Sequence, residues 1–335
     1  MTLLAPLAFG LVPVVMFLLA LVVMDSYRLV RRRDVIASLA WGAVAALLSR
    51  LINGQMLIHA HAPRPWLTGT FAPVAEEALK AVWIVVLLAT ERVGFLVDAG
   101  IHGFAVGTGF ALVENVDYAR ALGGGQPLVW IVRGLGTAVM HGATTSIVAI
   151  AGKAISERRR RMAWLAPLPG LAPAIAVHAM FNRFVLSPLL STAALLIGMP
   201  MLLVVVFELS ERATRRWLGS GLDADTELLE GLLGDEVQDT PMGRYLDGLR
   251  RRFTGPVVAD MFCVLRIHLE LSLRAKGILI ARAAGVEMRP DDEVRANFAE
   301  MRFLERAIGP TGRIALLPFM KTSNRDLWQL YMLEK

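Results

Sequence analysis

Two adjacent glutamates and a lysine stand near the front of an apolar run, FAPVAEEALKAVWIVVLL, at residues 71–88. Glu76 lies four residues before Lys80 and Glu77 lies three before it, so in a helix the ammonium group can reach both carboxylates across one turn. Ionisable residues inside membrane helices are costly and generally mark functional sites. We therefore interpret one glutamate as held in an ion pair and the other as available for chemistry.

The next apolar stretch, 97–118, carries a second polar motif. Residues spaced by four, three and four positions share one face of a helix, and here they are Gly103, Gly107, Phe110 and Glu114. The two glycines predict that another helix approaches closely. The carboxylate of Glu114 then projects from the face that this partner covers.

Two histidines complete the set of polar residues in apolar stretches. His141 lies among small and hydroxylated residues in GLGTAVMHGATTS, and His178 lies one helical turn before Asn182 in APAIAVHAMFNRF. A structural hydrogen bond explains each of them equally well when it is taken alone. Carboxylates, imidazoles and a carboxamide in four separate stretches favour one shared site.

The chain that must position these residues has the composition of an integral membrane protein. Its 335 residues are 55% hydrophobic and 19% charged, with a mean hydropathy of +0.53. About 20 apolar residues span a bilayer as a helix. About seven windows qualify: 5–24, 35–52, 70–90, 97–118, 127–151, 163–185 and 188–209. The sequence thus predicts an all-α, polytopic bundle of about seven transmembrane helices.

Arginine clusters set the expected orientation. They follow the first, fifth and seventh windows, at Arg28–Arg33, Arg158–Arg161 and Arg212–Arg216. Cytoplasmic loops of membrane proteins carry an excess of Arg and Lys, so we expect an outside N-terminus and a cytoplasmic C-terminal region. The expected location is the cell membrane, namely the inner membrane of a bacterium. The loops assigned outside, 53–69 and 119–126, contain fewer Arg and Lys residues.

This orientation places the polar residues at one depth. Glu76 and Glu77 follow the outer end of a span that runs inward, while Glu114 and His178 precede the outer ends of spans that run outward. At 1.5 Å per residue, all come within about 5–13 Å of the outer surface. We expect a water-accessible cavity that opens to the outside.

The remaining composition excludes several classes of protein. The net charge of +6 sits largely in the clusters beside apolar windows, so topology explains it and we expect no nucleic-acid partner. The single cysteine, Cys263, excludes an internal disulfide and a cysteine-rich metal site. Residues 1–34 predict a retained transmembrane anchor with a basic loop, and residues 217–335 predict a cytoplasmic helical region.

The polar motifs together resemble those of the PrsW family of intramembrane proteases, which is related to the CAAX prenyl endopeptidases and the bacteriocin-processing enzymes. The resemblance covers roughly residues 35–209 and rests on Glu76-Glu77-x-x-Lys80, Phe110-x-x-x-Glu114-Asn115, His141 and His178-x-x-x-Asn182. It implies that residues 35–216 form a membrane-embedded peptidase core. Such an enzyme cuts a peptide bond in or next to the transmembrane segment of a membrane protein substrate, with the lipid bilayer as its surroundings.

The resemblance also implies roles for the motif residues. Glu76 would be the general base that activates water, and Glu77 would be the paired carboxylate that Lys80 orients. His178 and Asn182 match the element that supports the oxyanion in the prenyl endopeptidases.

One position departs from the pattern of the prenyl endopeptidases. They carry a histidine where this chain has Glu114, which makes His141 a candidate for the missing imidazole. Zinc commonly takes three protein ligands and a water, and His141, His178 and Glu114 can supply them while Glu76 remains the base. A glutamate mechanism without metal uses the same residue types, so both schemes stay open.

Two other classes of function use intramembrane polar residues. A proton- or ion-coupled transporter would show inverted repeats with broken helices, and the sequence has no such self-similarity. A non-catalytic membrane receptor would signal through residues 217–335 and require the polar cluster to be structural. The sequence assigns no particular substrate and no oligomeric state.

Overall fold

The computed structural model describes the chain in eight stretches: 4–25, 27–59, 61, 63–122, 127–157, 163–234, 237–320 and 324–334. All regular secondary structure in these stretches is helical, which confirms the predicted all-α class. The chain forms two compact units, Met1–Ser210 and Glu211–Lys335. The cluster Arg158–Arg161 and residues 123–126 of the predicted outer loop lie outside the described stretches.

The first unit is a bundle of apolar helices. They are α1 Leu4–Met24, α2 Arg32–His59, α3 Arg64–Trp66, α4 Ala72–Ala89, α5 Leu96–Leu122, α6 Pro127–Val129, α7 Thr137–Ser156, α8 Leu168–Asn182 and α9 Pro188–Leu233. Two π-helical segments, Leu67–Phe71 and Trp130–Gly136, connect α3 to α4 and α6 to α7. α9 begins in this unit and ends in the second.

Each of the seven predicted windows overlaps a helix. By length and composition, four helices of the described chain can cross a membrane: Arg32–His59, Leu96–Ala121, Trp130–Ser156 and Pro188–Leu233. The helix of the first window has a shorter apolar part, Gly10–Met24. α4 carries three charged residues, and α8 has only 15 residues. The membrane helix bundle is confirmed, and the number of seven spans stays a prediction.

α5 lies at the centre of the first unit, because glycines let its neighbours approach its backbone. A Cβ at Gly107 would overlap the carbonyl oxygen of His141 on α7, and one at Gly103 would lie 2.6 Å from the Cα of Ser146. The helix predicted to approach this glycine face is therefore α7. This contact sets the position of His141 along the axis of α5, next to Gly107.

Replacing Gly107 by alanine is expected to destabilise the bundle by about 1–3 kcal/mol, the usual cost of overpacking a core. The added methyl group would clash with backbone atoms of α7, which cannot move away by a change of rotamer as a side chain can. Thermal unfolding in detergent measures the change. Gly198→Ala is the matched control, because nothing lies within 4 Å of a Cβ at that position. Equal stability of the two variants would contradict the packing argument.

The second unit contains the end of α9 and four more helices: α10 Pro241–Leu249, α11 Gly255–Ala283, α12 Asp292–Leu316 and α13 Asn324–Glu334. A buried polar network joins three of them. Lys276 and Ser272 of α11 both donate to Asp225 Oδ2 of α9 at 2.5 Å, and Gln329 of α13 donates to Ser272 Oγ at 2.8 Å. The network compensates the burial of the two charges and holds these helices in register.

Candidate active site

Six of the seven predicted site residues come together at matching ends of four helices. Glu76, Glu77 and Lys80 lie in the first turns of α4, Glu114 near the end of α5, His141 near the start of α7 and His178 near the end of α8. Lys80, Glu77 and His141 are fully buried, and Glu76 keeps 8% exposure. Direct hydrogen bonds join five of these residues, and Glu76 faces His178 at 3.7 Å.

Glu77 is the most heavily bonded carboxylate. Its Oε1 accepts hydrogen bonds from Lys80 Nζ at 2.6 Å, from His178 Nδ1 at 2.8 Å and from Thr144 Oγ1 at 3.1 Å. Burying a charge is expensive unless it is paired and hydrogen-bonded, and these three donors meet that condition. Glu77 is therefore the glutamate held in place, and it orients its neighbours.

His141 connects Lys80 to Glu114. Its Nδ1 lies 3.0 Å from Lys80 Nζ, and its Nε2 lies 2.6 Å from Glu114 Oε2. An ammonium group only donates, so Nδ1 accepts and the ring carries its proton on Nε2, which donates to Glu114. Tyr118 donates to the other oxygen of Glu114 at 2.8 Å. Both nitrogens of His141 are thus engaged.

His178 presents a free nitrogen to Glu76. Since Nδ1 donates its proton to Glu77, the lone pair on Nε2 is free, and it faces Glu76 Oε2 at 3.7 Å. The imidazole of His178 also meets His141 edge to face, with ring centroids 4.9 Å apart. Glu76 accepts one hydrogen bond, from Asn53, whereas Glu77 accepts three, so Glu76 is the less strongly held of the two carboxylates.

The arrangement fits a zinc ion. Glu76, His141 and His178 each offer a ligand atom, and these atoms all lie within 4.8 Å of one another. Imidazole nitrogens and carboxylate oxygens are ligands that zinc takes in proteins. The bond from His178 Nδ1 to Glu77 is the outer contact that a zinc-bound histidine usually makes. Glu114 is not in this group, but it touches Nε2 of His141.

Asn182 lies apart from the cluster. Its Nδ2 donates to the carbonyl oxygen of Thr68 at 3.1 Å, and the next residue, Arg183, donates to Thr70 Oγ1 at 2.5 Å. These bonds tie the end of α8 to the first π-helical segment. One helical turn separates Asn182 from His178, about 6 Å along the axis, which accounts for its distance from the carboxylates.

Three residues that contact the site carboxylates were missed from the sequence. Thr144 and Tyr118 lie three and four residues after His141 and Glu114, so helical spacing could have identified both. Asn53 donates to Glu76 Oε1 at 3.3 Å from α2, at a separation of 23 residues. No local spacing signals that contact, and Asn53 falls just beyond the predicted window 35–52.

Comparison with known proteins places these residues in a family. No curated protein and no solved structure matches the chain. A family model described as PrsW family intramembrane metalloprotease matches residues 31–209, more than half of the chain. The match confirms the resemblance seen in the motifs, and it contains every residue of the cluster. This chain therefore belongs to the PrsW family of intramembrane metalloproteases and is an intramembrane peptidase.

Proposed function

We propose that this chain hydrolyses a peptide bond in or next to the transmembrane segment of a membrane protein substrate, near the outer face, with Glu76 as the base. The difference between the two adjacent glutamates is the observation that carries this proposal. Glu77 accepts three hydrogen bonds on one oxygen, whereas Glu76 faces the free nitrogen of His178. The family match supports a peptidase over a transporter or a non-catalytic receptor.

The proposed reaction consumes one water and breaks one C–N bond. The water donates a proton to the Glu76 carboxylate while its oxygen attacks the carbonyl carbon of the substrate. Glu76 then passes this proton to the leaving nitrogen, so the products are a carboxylic acid and an amine. Glu77 and Lys80 would stay paired throughout and keep His178 in its orientation.

Asn182 would support the oxyanion. Its amide already donates to a backbone carbonyl oxygen, that of Thr68. The carbonyl of a substrate is an acceptor of the same kind, so it can replace Thr68 with little change in chemistry. A donor aimed at the developing negative charge lowers the barrier to the tetrahedral intermediate.

Zinc is the metal that the side chains would hold. His178 would bind through its free Nε2. His141 Nε2 and Glu114 Oε2 would become ligands when the proton between them is released and the His141 ring takes a proton from Lys80 at Nδ1. Glu76 would then be left free to act as the base. A bound zinc ion would polarise the substrate carbonyl and acidify a water.

The proposed cleavage near the outer face depends on the orientation of the chain in the membrane. The arginine clusters support an outside N-terminus and a cytoplasmic second unit, in the inner membrane of a bacterium. The site residues then lie in the outer half of the bilayer. A substrate helix would meet them near its outer end, where a helix frays most readily and its peptide bonds become accessible.

Cleavage is therefore expected at the outer end of the substrate helix or just beyond it. A single-span substrate with a different tag on each side of the membrane, incubated with purified protein in liposomes, provides the test. Mass spectrometry of the two fragments maps the cut bond. Glu76→Gln protein is the control for contaminating proteases, and cleavage at the cytoplasmic end would contradict the assigned depth.

A further inference from the structure

Asn53 of α2 reaches into the cluster from a helix that carries no predicted site residue. Its Nδ2 donates to Glu76 Oε1 at 3.3 Å and to Ser49 Oγ at 3.2 Å. Ser49 lies one turn earlier on the same helix and is 98% buried, so it anchors the amide. The carboxylate of Glu76 is thus held between α2 on one side and His178 of α8 on the other.

The other end of the same amide is an acceptor shielded from solvent. Asn53 Oδ1 has no hydrogen-bond partner among the residues that the structure describes. The two polar atoms of a carboxamide are about 2.2 Å apart, so this oxygen lies close to the carboxylate that its amide nitrogen binds. A buried acceptor without a donor is unfavourable. Peptide hydrolysis brings two donors to Glu76, water and a peptide N–H, and either reaches Oδ1 only when the side chains that cover it move aside.

We propose that Asn53 is a positioning residue that orients both Glu76 and the attacking water. Its N–H holds the carboxylate, and its Oδ1 accepts one proton of the water while Glu76 accepts the other. With both protons engaged, a lone pair of the water oxygen points away from Asn53 and Glu76, toward the substrate carbonyl. This inference rests on the proposed role of Glu76 as the base.

Replacing Asn53 by leucine removes the donor and the acceptor and keeps the branched shape and the number of side-chain heavy atoms. We expect kcat to fall about 10–100-fold, because a misplaced base and water lose much of their contribution. KM should stay within about twofold, since the contact acts on the reacting groups. Zinc content and unfolding temperature should match those of the wild type. Asn53→Gln, which keeps the amide, should recover part of the loss.

Gly54→Ala is the control for a change at this point of α2, because nothing lies within 4 Å of a Cβ there. It should keep the wild-type kcat. Full activity of Asn53→Leu would overturn the inference, and so would loss of zinc or of thermal stability in that variant, which would indicate a structural role.

A double-mutant cycle tests whether Asn53 acts through Glu76. Glu76→Asp withdraws the carboxylate from Asn53 by one methylene group. In that background, Asn53→Leu should cost about threefold or less, since the contact is already lost. An equal loss in both backgrounds would overturn the inference. Wild-type activity of Glu76→Gln would instead overturn the proposed function, so the two failures are distinguishable.

Discussion

Glu76→Gln is expected to abolish peptide hydrolysis while the protein still folds and inserts into the membrane. Glutamine has the shape of glutamate, but it cannot take a proton from water. General base catalysis contributes about 10²–10⁴-fold to a rate, and we expect at least this loss. Cleavage of a tagged single-span substrate, followed over time with purified protein, measures it.

The control for this variant is a glutamate outside the site. Glu208→Gln changes an exposed side chain of α9 and should keep full activity. The adjacent Glu77 is unsuitable as a control, because its substitution would leave Lys80 buried without its carboxylate partner. Proteolysis near the wild-type rate by Glu76→Gln would rule out Glu76 as the base.

Removing zinc is expected to stop cleavage, and adding zinc back should restore it. Purified active protein should contain about one zinc ion per chain, held by three protein ligands. His141→Ala and His178→Ala should each lose metal and activity together, because each removes one of those ligands. Elemental analysis and the cleavage assay, performed on the same samples, test both expectations.

His59→Ala is the matched histidine control. This side chain is exposed at the end of α2, so its loss should leave zinc content and activity unchanged. Full activity of metal-free protein would decide for the glutamate mechanism. His141 would then orient the water or make a structural hydrogen bond, as its contacts with Lys80 and Glu114 allow.

Local spacing was enough to predict the helices and the main motifs. The apolar windows follow from the length that a bilayer requires, and the ability of Lys80 to reach either glutamate follows from spacings of three and four residues on one helix. The glycine face of α5 was visible for the same reason. The family could also be identified from the sequence, because its motifs are short and lie within single helices.

The tertiary structure decided which contacts each carboxylate makes. Spacing along α4 lets Lys80 pair with Glu76 or with Glu77. The packing of α4 against α7 and α8 placed Glu77, and not Glu76, within hydrogen-bond distance of Thr144 and His178 as well. That packing also left Glu76 to meet Asn53.

The sequence by itself determined the helical membrane class, the peptidase family and most of the polar cluster, because these depend on composition and on spacing within one helix. The partner of each polar atom depends instead on the depth and rotation of helices that are distant along the chain. Close approach at Gly107 sets part of that geometry. The spacing of residues along the sequence does not specify this packing geometry. The hydrogen bonds from Asn53 to Glu76 and from Asn182 to Thr68 could therefore be found only in the packed bundle.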